Sequence, residues 1–119
     1  MADRNWRAGA KAIAEERLDE AVELCRHAVA EDPLSAEAHY YLGHALSKQG
    51  LLFEAVAAYE RAAELRPDVD AAHQYLAQTY ERLGFQTSAR QAWARAIETC
   101  RDAGRRQAMQ QRLMKLLSM

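Results

Sequence analysis

A period of 34 residues runs through this sequence. Pro33 and Pro67 lie one period apart, and the chain aligns with itself in three consecutive blocks, residues 2–35, 36–69 and 70–103. Small or bulky residues recur in the same columns of this alignment: Ala21, Ala55 and Ala89; Ala28, Ala62 and Ala96; Gly9, Gly43 and Ala77; and Cys25, Tyr59 and Trp93. Self-similarity at a fixed period of about 20 to 50 residues indicates a repeat array.

Each block predicts two helices. In the middle block, apolar and small residues at 38, 42, 45 and 46 follow one helical face. Gly50 follows where a helix must end, because glycine adopts the left-handed conformation at little cost. A second helix is predicted from Phe53 to about Arg66, before Pro67, since proline cannot continue a helix. With abundant alanine and few β-branched residues, the predicted fold class is all-α.

The outer blocks depart from this plan at one position each. In the first block, Glu16 stands in place of the glycine between the two helices. In the third block, Arg101 replaces the closing proline, so we expect its second helix to continue past Arg101. Residues 104–118 keep helical spacing, with Met109, Leu113, Leu116 and Leu117 on one stripe.

The middle block resembles the tetratricopeptide repeat, a helix–turn–helix unit of this length. The residues that carry the resemblance are Leu42, Gly43, Leu46, Gly50, Ala55, Tyr59, Ala62 and Pro67. The resemblance implies a right-handed superhelical array, an α-solenoid, formed as a single domain over residues 1–119. Three repeats are then expected to be followed by a capping helix over about 104–118.

In that family the first helix of each repeat lines a concave groove that holds a peptide or helix of a partner protein. The resemblance therefore implies a groove lined by Asp3, Trp6, Arg7, Ala10, Ile13, Glu37, Tyr40, Tyr41, His44, Ser47, Lys48, Ala71, Gln74, Tyr75, Gln78, Glu81 and Arg82. Aromatic residues with a polar tip are typical of binding hot spots. Tyr41 and Tyr75 equally suit packing between adjacent first helices. The helical phase of Tyr40, His44 and Gln78 points them away from the core, which favours recognition. We expect Tyr40→Ala combined with His44→Ala to abolish partner binding with little loss of helicity.

One subgroup of the family clamps the terminal carboxylate of heat-shock chaperones with lysine, arginine and asparagine. The matching positions here are Trp6, Ala10, Tyr41, Ala71 and Tyr75, none of which is cationic or asparagine. We therefore expect no binding of a chaperone C-terminal carboxylate.

Two alternatives to partner binding stay open. The chain can be a self-assembling module that associates through its groove or through Met109, Leu113, Leu116 and Leu117 of the last helix. It can also contact nucleic acid through the basic residues after Arg101. The whole chain has 16 Lys and Arg against 17 Asp and Glu, a formal net charge of −1, which argues against nucleic acid.

No pattern in the sequence indicates catalysis. Glycines are too scattered for a phosphate loop, and Cys25 and His27 point to different sides of a helix. His39 and His73 share a column usually occupied by packing residues, so we predict a packing role and no metal or cofactor. The chain has no signal-peptide pattern and no apolar run near the ~18 residues of a membrane span. We predict a cytoplasmic, non-catalytic scaffold or adaptor.

Overall fold

Seven α-helices build the part of the chain that the computed structural model describes, which comprises the backbone of residues 2–119 and the side chains of residues 5–119. They are α1 (Ala2–Ala14), α2 (Leu18–Glu31), α3 (Ala36–Lys48), α4 (Leu52–Leu65), α5 (Asp70–Leu83), α6 (Gln86–Thr99) and α7 (Ala103–Leu117). Consecutive helices pack as the hairpins α1–α2, α3–α4 and α5–α6. The predicted all-α class, with three helix–turn–helix repeats and one further helix, is confirmed.

Left-handed residues lie at the turn inside each hairpin. Gly50 has a φ of 81° and Gly84 a φ of 82°, as expected for glycine after a helix. Glu16 occupies the same column in the first repeat and has a φ of 60°. The first hairpin therefore keeps the turn geometry of the others although it lacks the glycine.

The helices form two compact units, and the chain passes from the first to the second between Arg66 and Pro67. In the first unit, α1 packs against α2 and α3, and α3 packs against α2 and α4. In the second unit, α6 packs against both α5 and α7. Each unit thus contains at least one complete hairpin and a further helix that covers it.

The cores of both units contain the columns of small residues seen in the sequence. Ala21, Ala55 and Ala89 are fully buried. Gly43 lies so close to α4 that a Cβ atom there would be 2.8 Å from the ring of Tyr59. Small side chains allow helix axes to approach within about 8–10 Å, so these columns set the spacing of the helices.

The second helix of the third repeat ends earlier than the sequence predicted. α6 ends at Thr99, and Cys100 is extended with φ −77° and ψ 126°. Arg106 donates from Nε and Nη2 to the carbonyl oxygen of Cys100, at 3.2 and 2.8 Å. Asp102 caps α7 by accepting the Arg105 backbone N–H at 2.8 Å. These contacts end α6 without a proline, so the expected continuation past Arg101 was wrong.

Replacing Glu16 by glycine tests the cost of the first turn. A non-glycine residue in the left-handed conformation destabilises the fold by about 1–2 kcal/mol. Glycine removes this cost, but it also makes the unfolded chain more flexible, which cancels part of the gain in stability. We expect Glu16→Gly to raise the free energy of unfolding by roughly 0.5–1 kcal/mol, measured by urea denaturation. Glu16→Ala removes the same charge but keeps the strained backbone, and an equal gain in that variant would contradict the explanation.

Candidate functional site

Five rings form an aromatic cluster in the first unit: Trp6, Tyr40, Tyr41, His44 and Tyr59. Trp6 of α1 stacks on Tyr41 of α3 with ring centroids 5.4 Å apart and an interplanar angle of 5°. Tyr40 meets Tyr41 edge to face at 5.2 Å. Ring pairs at these separations and angles are favourable. The cluster joins α1 to α3 and leaves its rings half-buried, except for Tyr59, which is buried.

His44 is the polar centre of this cluster. Its Nδ1 lies 2.9 Å from the hydroxyl of Tyr59, and its ring lies 4.5 Å from that of Tyr40. Burial, together with the positive charge of Lys48, lowers the pKa of His44 to about 4. The imidazole is therefore neutral near pH 7 and acts as a hydrogen-bonding, packed ring.

This placement corrects one expectation from the sequence. Helical phase suggested that Tyr40 and His44 point away from the core, yet both contact the buried Tyr59, with Tyr40 at a ring distance of 6.1 Å. Replacing both by alanine removes packing around Tyr59, so the double variant is not a clean test of partner binding. Helical phase alone did not predict the contacts of Tyr40 and His44, because the Tyr59 ring comes from a different helix, α4.

Cations border the aromatic cluster. The Arg7 guanidinium lies over the Trp6 ring, 4.6 Å from its centroid, a cation–π arrangement. Both Arg7 and Lys48 are exposed. The first unit therefore brings together most of the groove residues predicted for repeats 1 and 2; the side chain of Asp3 lies outside the described residues.

The second unit contains a groove of about 630 Å³. We call it the α5–α7 groove, because its walls come from these two helices and Trp93 of α6 contributes to the lining. Its lining residues are Gln74, Gln78, Glu81, Arg82, Trp93, Arg105, Ala108, Met109 and Arg112. The predicted residues Gln74, Gln78, Glu81 and Arg82 are among them, whereas the half-buried Tyr75 is not.

Two ion pairs cross from α7 to α5 in this unit. Arg112 donates to Glu81, with Nε at 3.2 Å from Oε2, and Trp93 Nε1 donates to the same carboxylate at 2.6 Å. Burial of Glu81 opposes ionisation, but the hydrogen bonds from Arg112 and Trp93 outweigh it and hold the pKa of Glu81 below its ordinary value. Arg105 pairs with Asp70 at the start of α5.

Sequence reasoning missed Trp93, Arg105 and Arg112 as site residues. Trp93 was placed in the core by its column, and its indole is indeed buried while its N–H reaches the groove. The arginines were visible among the basic residues after Arg101, which the sequence suggested only as a contact for nucleic acid. Their ion pairs depend on contacts between α7 and α5 that the sequence does not reveal.

The stripe suggested for self-association is largely covered. Met109 and Leu116 are only 4% and 3% exposed, because α7 turns them into the second unit. Leu113 is half-buried, and Leu117 is 60% exposed. Met109 and Leu116 are therefore packing residues of the unit, and Leu113 and Leu117 are the more accessible members of the predicted stripe.

The remaining candidate groups have structural partners. His39 Nε2 lies 2.9 Å from the Pro33 carbonyl oxygen, and His73 Nε2 lies 3.3 Å from that of Pro67. Burial raises the pKa of Cys25 to about 11, which keeps its thiol protonated. Over the residues described, no three His, Cys, Asp or Glu side chains come together as a metal site. In the same part of the chain, no helix is both long and apolar enough to cross a membrane.

The low pKa of His44 predicts a pH dependence of stability. A histidine that is harder to protonate in the folded state destabilises the fold as pH falls from about 6.5 towards 4, since the unfolded chain takes up the proton first. We expect a loss of about 2 kcal/mol over this range, because one pKa unit corresponds to about 1.4 kcal/mol and partial exposure reduces the full effect. Urea denaturation at several pH values measures it.

His44→Gln should flatten this dependence, whereas His27→Gln, at an exposed histidine of α2, should not. An unchanged slope in His44→Gln would assign the pH dependence to other groups.

The architecture is shared with solved structures of low sequence identity. The type III secretion translocator chaperone SycD of Yersinia enterocolitica matches with a TM-score of 0.89 and 12% identity, over 96% of this chain and 81% of that one. The TPR2B domain of yeast Sti1, in a complex with pHsp70, matches with a TM-score of 0.88 and 18% identity, over 98% and 96%. The first TPR domain of RPAP3, bound to an HSP90 peptide, matches with a TM-score of 0.88 and 15% identity, over 99% and 94%.

At the sequence level, no curated protein matches this chain. The family model described as Tetratricopeptide repeat matches residues 12–78, more than half of the chain. That match covers the turn and the second helix of the first repeat, the whole second repeat and most of α5. The chain belongs to the tetratricopeptide repeat family.

Proposed function

We propose that this protein is a non-catalytic scaffold or adaptor that binds a peptide or a helix of a partner protein along the first helices of its repeats. The observation that carries the proposal is the chemistry of the surface on these helices. In the first unit they display the half-buried rings of Trp6, Tyr40 and Tyr41, and in the second unit Gln74 and Gln78 line the α5–α7 groove. Aromatic rings supply contact area, and amides can bond a peptide backbone.

The similar structures support a protein partner. SycD is a chaperone for a translocator, and the domains of Sti1 and RPAP3 occur in complexes with pHsp70 and an HSP90 peptide. This chain is expected to differ from the last two in its ligand. The positions that would clamp a terminal carboxylate hold Trp6, Ala10, Tyr41, Ala71 and Tyr75, which supply neither lysine nor asparagine.

The groove variant uses exposed residues only, so that binding is separated from folding. The groove variant replaces four exposed residues of the first helices by alanine: Arg7, Lys48, Gln78 and Arg82. The control variant replaces the same number of cations and one glutamine on the second helices: Arg26, Arg61, Gln91 and Arg95. Partners captured from host lysate by wild type are identified by mass spectrometry, and we expect the groove variant to lose them by at least about tenfold while the control keeps them.

Circular dichroism should show equal helicity and melting temperature for the two variants and wild type. If the groove variant retains every partner, or the control loses the same partners, the first helices are not the binding surface and this proposal is wrong.

Self-association is the second candidate function, and exposed apolar residues near the end of α7 favour it. Met114 is 68% exposed and Leu117 60% exposed, although single exposed apolar residues are common on monomers. If this surface associates, sedimentation velocity should show a larger species as concentration rises, and Leu117→Lys should abolish it. Lys115→Ala, on the same helix, is the matched control. A single monomeric species at all concentrations would exclude this function.

A further inference from the structure

The α5–α7 groove occupies a place that the first unit fills with rings. In the first unit, Trp6 and Tyr41 stack between the first helices of adjacent repeats. In the 34-residue register, Gln74 occupies the column of Trp6 and Met109 the column of Tyr41. Both Gln74 and Met109 line the groove. An amide and a thioether replace two stacked rings, and space is left between α5 and α7.

The walls of this groove carry more positive than negative groups. Three arginines line it, Arg82, Arg105 and Arg112, against the single carboxylate of Glu81. Arg112 uses Nε and Nη2 for Glu81, and Arg105 uses Nη2 for Asp70 and for the Cys100 sulfur at 3.8 Å. A guanidinium has five N–H donors, so Arg105 and Arg112 each keep donors for another acceptor.

The rest of the lining is apolar or amide. Met109 and the Trp93 indole are buried side chains that present apolar edges, and Ala108 adds a small exposed surface. Gln74 and Gln78 place amide groups on the α5 wall. A ligand that fits this lining combines an anionic group, an apolar side chain and backbone polar groups.

We propose that the α5–α7 groove binds an extended peptide segment in which an aspartate or glutamate lies next to a large apolar residue. The peptide carboxylate bonds to Arg105 and Arg112, the apolar side chain contacts Met109 and Ala108, and the peptide backbone bonds to Gln74 and Gln78. The choice of an acidic segment rests on charge complementarity. This inference rests on the proposed binding function and gives it a ligand class and a location within one unit.

Glu81 has a distinct role in this arrangement. Its ionised carboxylate already accepts hydrogen bonds from Arg112, so it occupies some of the guanidinium N–H groups that a peptide carboxylate would use. Glu81 therefore competes with the ligand and limits its affinity. Glutamine at this position can still accept the Trp93 N–H through its amide oxygen but carries no charge to hold Arg112.

The experiment selects peptides without assuming a natural partner. A displayed library of random linear peptides is panned on the wild-type protein, and the enriched peptides are synthesised with a fluorescent label for anisotropy titrations. We expect enrichment of Asp or Glu beside Leu, Phe, Tyr or Trp. Arg112→Gln should weaken binding by ~tenfold, because a charge-assisted hydrogen bond is lost. Arg95→Gln, an exposed arginine of α6 outside the groove, should leave binding unchanged.

Glu81→Gln should tighten binding several-fold, a gain that a misfolded variant cannot produce. Wild-type affinity for the peptides should also fall as salt is raised, as expected for a charge-dependent contact.

Four outcomes overturn the inference. If the enriched peptides lack acidic residues, or if Arg112→Gln binds them as wild type does, the ligand class is wrong while the proposed binding function stands. If no peptide is enriched, both this inference and binding of extended peptides fail. If a short fluorescent single-stranded DNA binds as tightly and with the same dependence on Arg112, the groove recognises phosphate and the assignment to an acidic peptide is wrong.

Discussion

Close contact between helices through small side chains is the constraint on which both units depend. Ala12, Ala21 and Ala45 come from α1, α2 and α3 and are buried together at the centre of the first unit. At Gly43 the approach is closer still, since the Tyr59 ring fills the space that a side chain would need. Because this packing holds the first helices in place, residues on their other side need not contribute to the core.

The same backbone plan produces two different surfaces. In the first unit, Trp6 and Tyr41 close the space between first helices with a ring stack. In the second unit, the equivalent columns hold Gln74 and Met109, and a groove remains open. The first surface offers aromatic area around a neutral His44, and the second offers donors and positive charge. A partner that contacts the first surface is held mainly by shape and apolar contact, whereas binding in the groove depends on charge and therefore on salt.

Most of the helices were predictable, because a core that repeats along the chain requires small and apolar residues at regular positions in the sequence. The left-handed Gly50 and the end of α4 before Pro67 follow from local rules of helix termination. The errors occurred where side-chain contacts that follow no sequence motif decided the structure. Arg106 ends the third repeat by bonding to the Cys100 carbonyl, a contact without a sequence motif. His44 was expected to face outward, yet Tyr59 reaches it from the neighbouring helix.

By itself, the sequence determined the repeat, the helices and the family, because the spacing of small residues and turns specifies which helix faces can meet. It also named much of the candidate surface, since helical phase assigns residues to the outer side of each first helix. Only the tertiary structure decided which of these residues share a site. Arg112 lies 31 residues after Glu81 and pairs with it only because α7 packs on α6, within side-chain reach of α5. The groove and its charge therefore depend on packing between helices and not on any one segment.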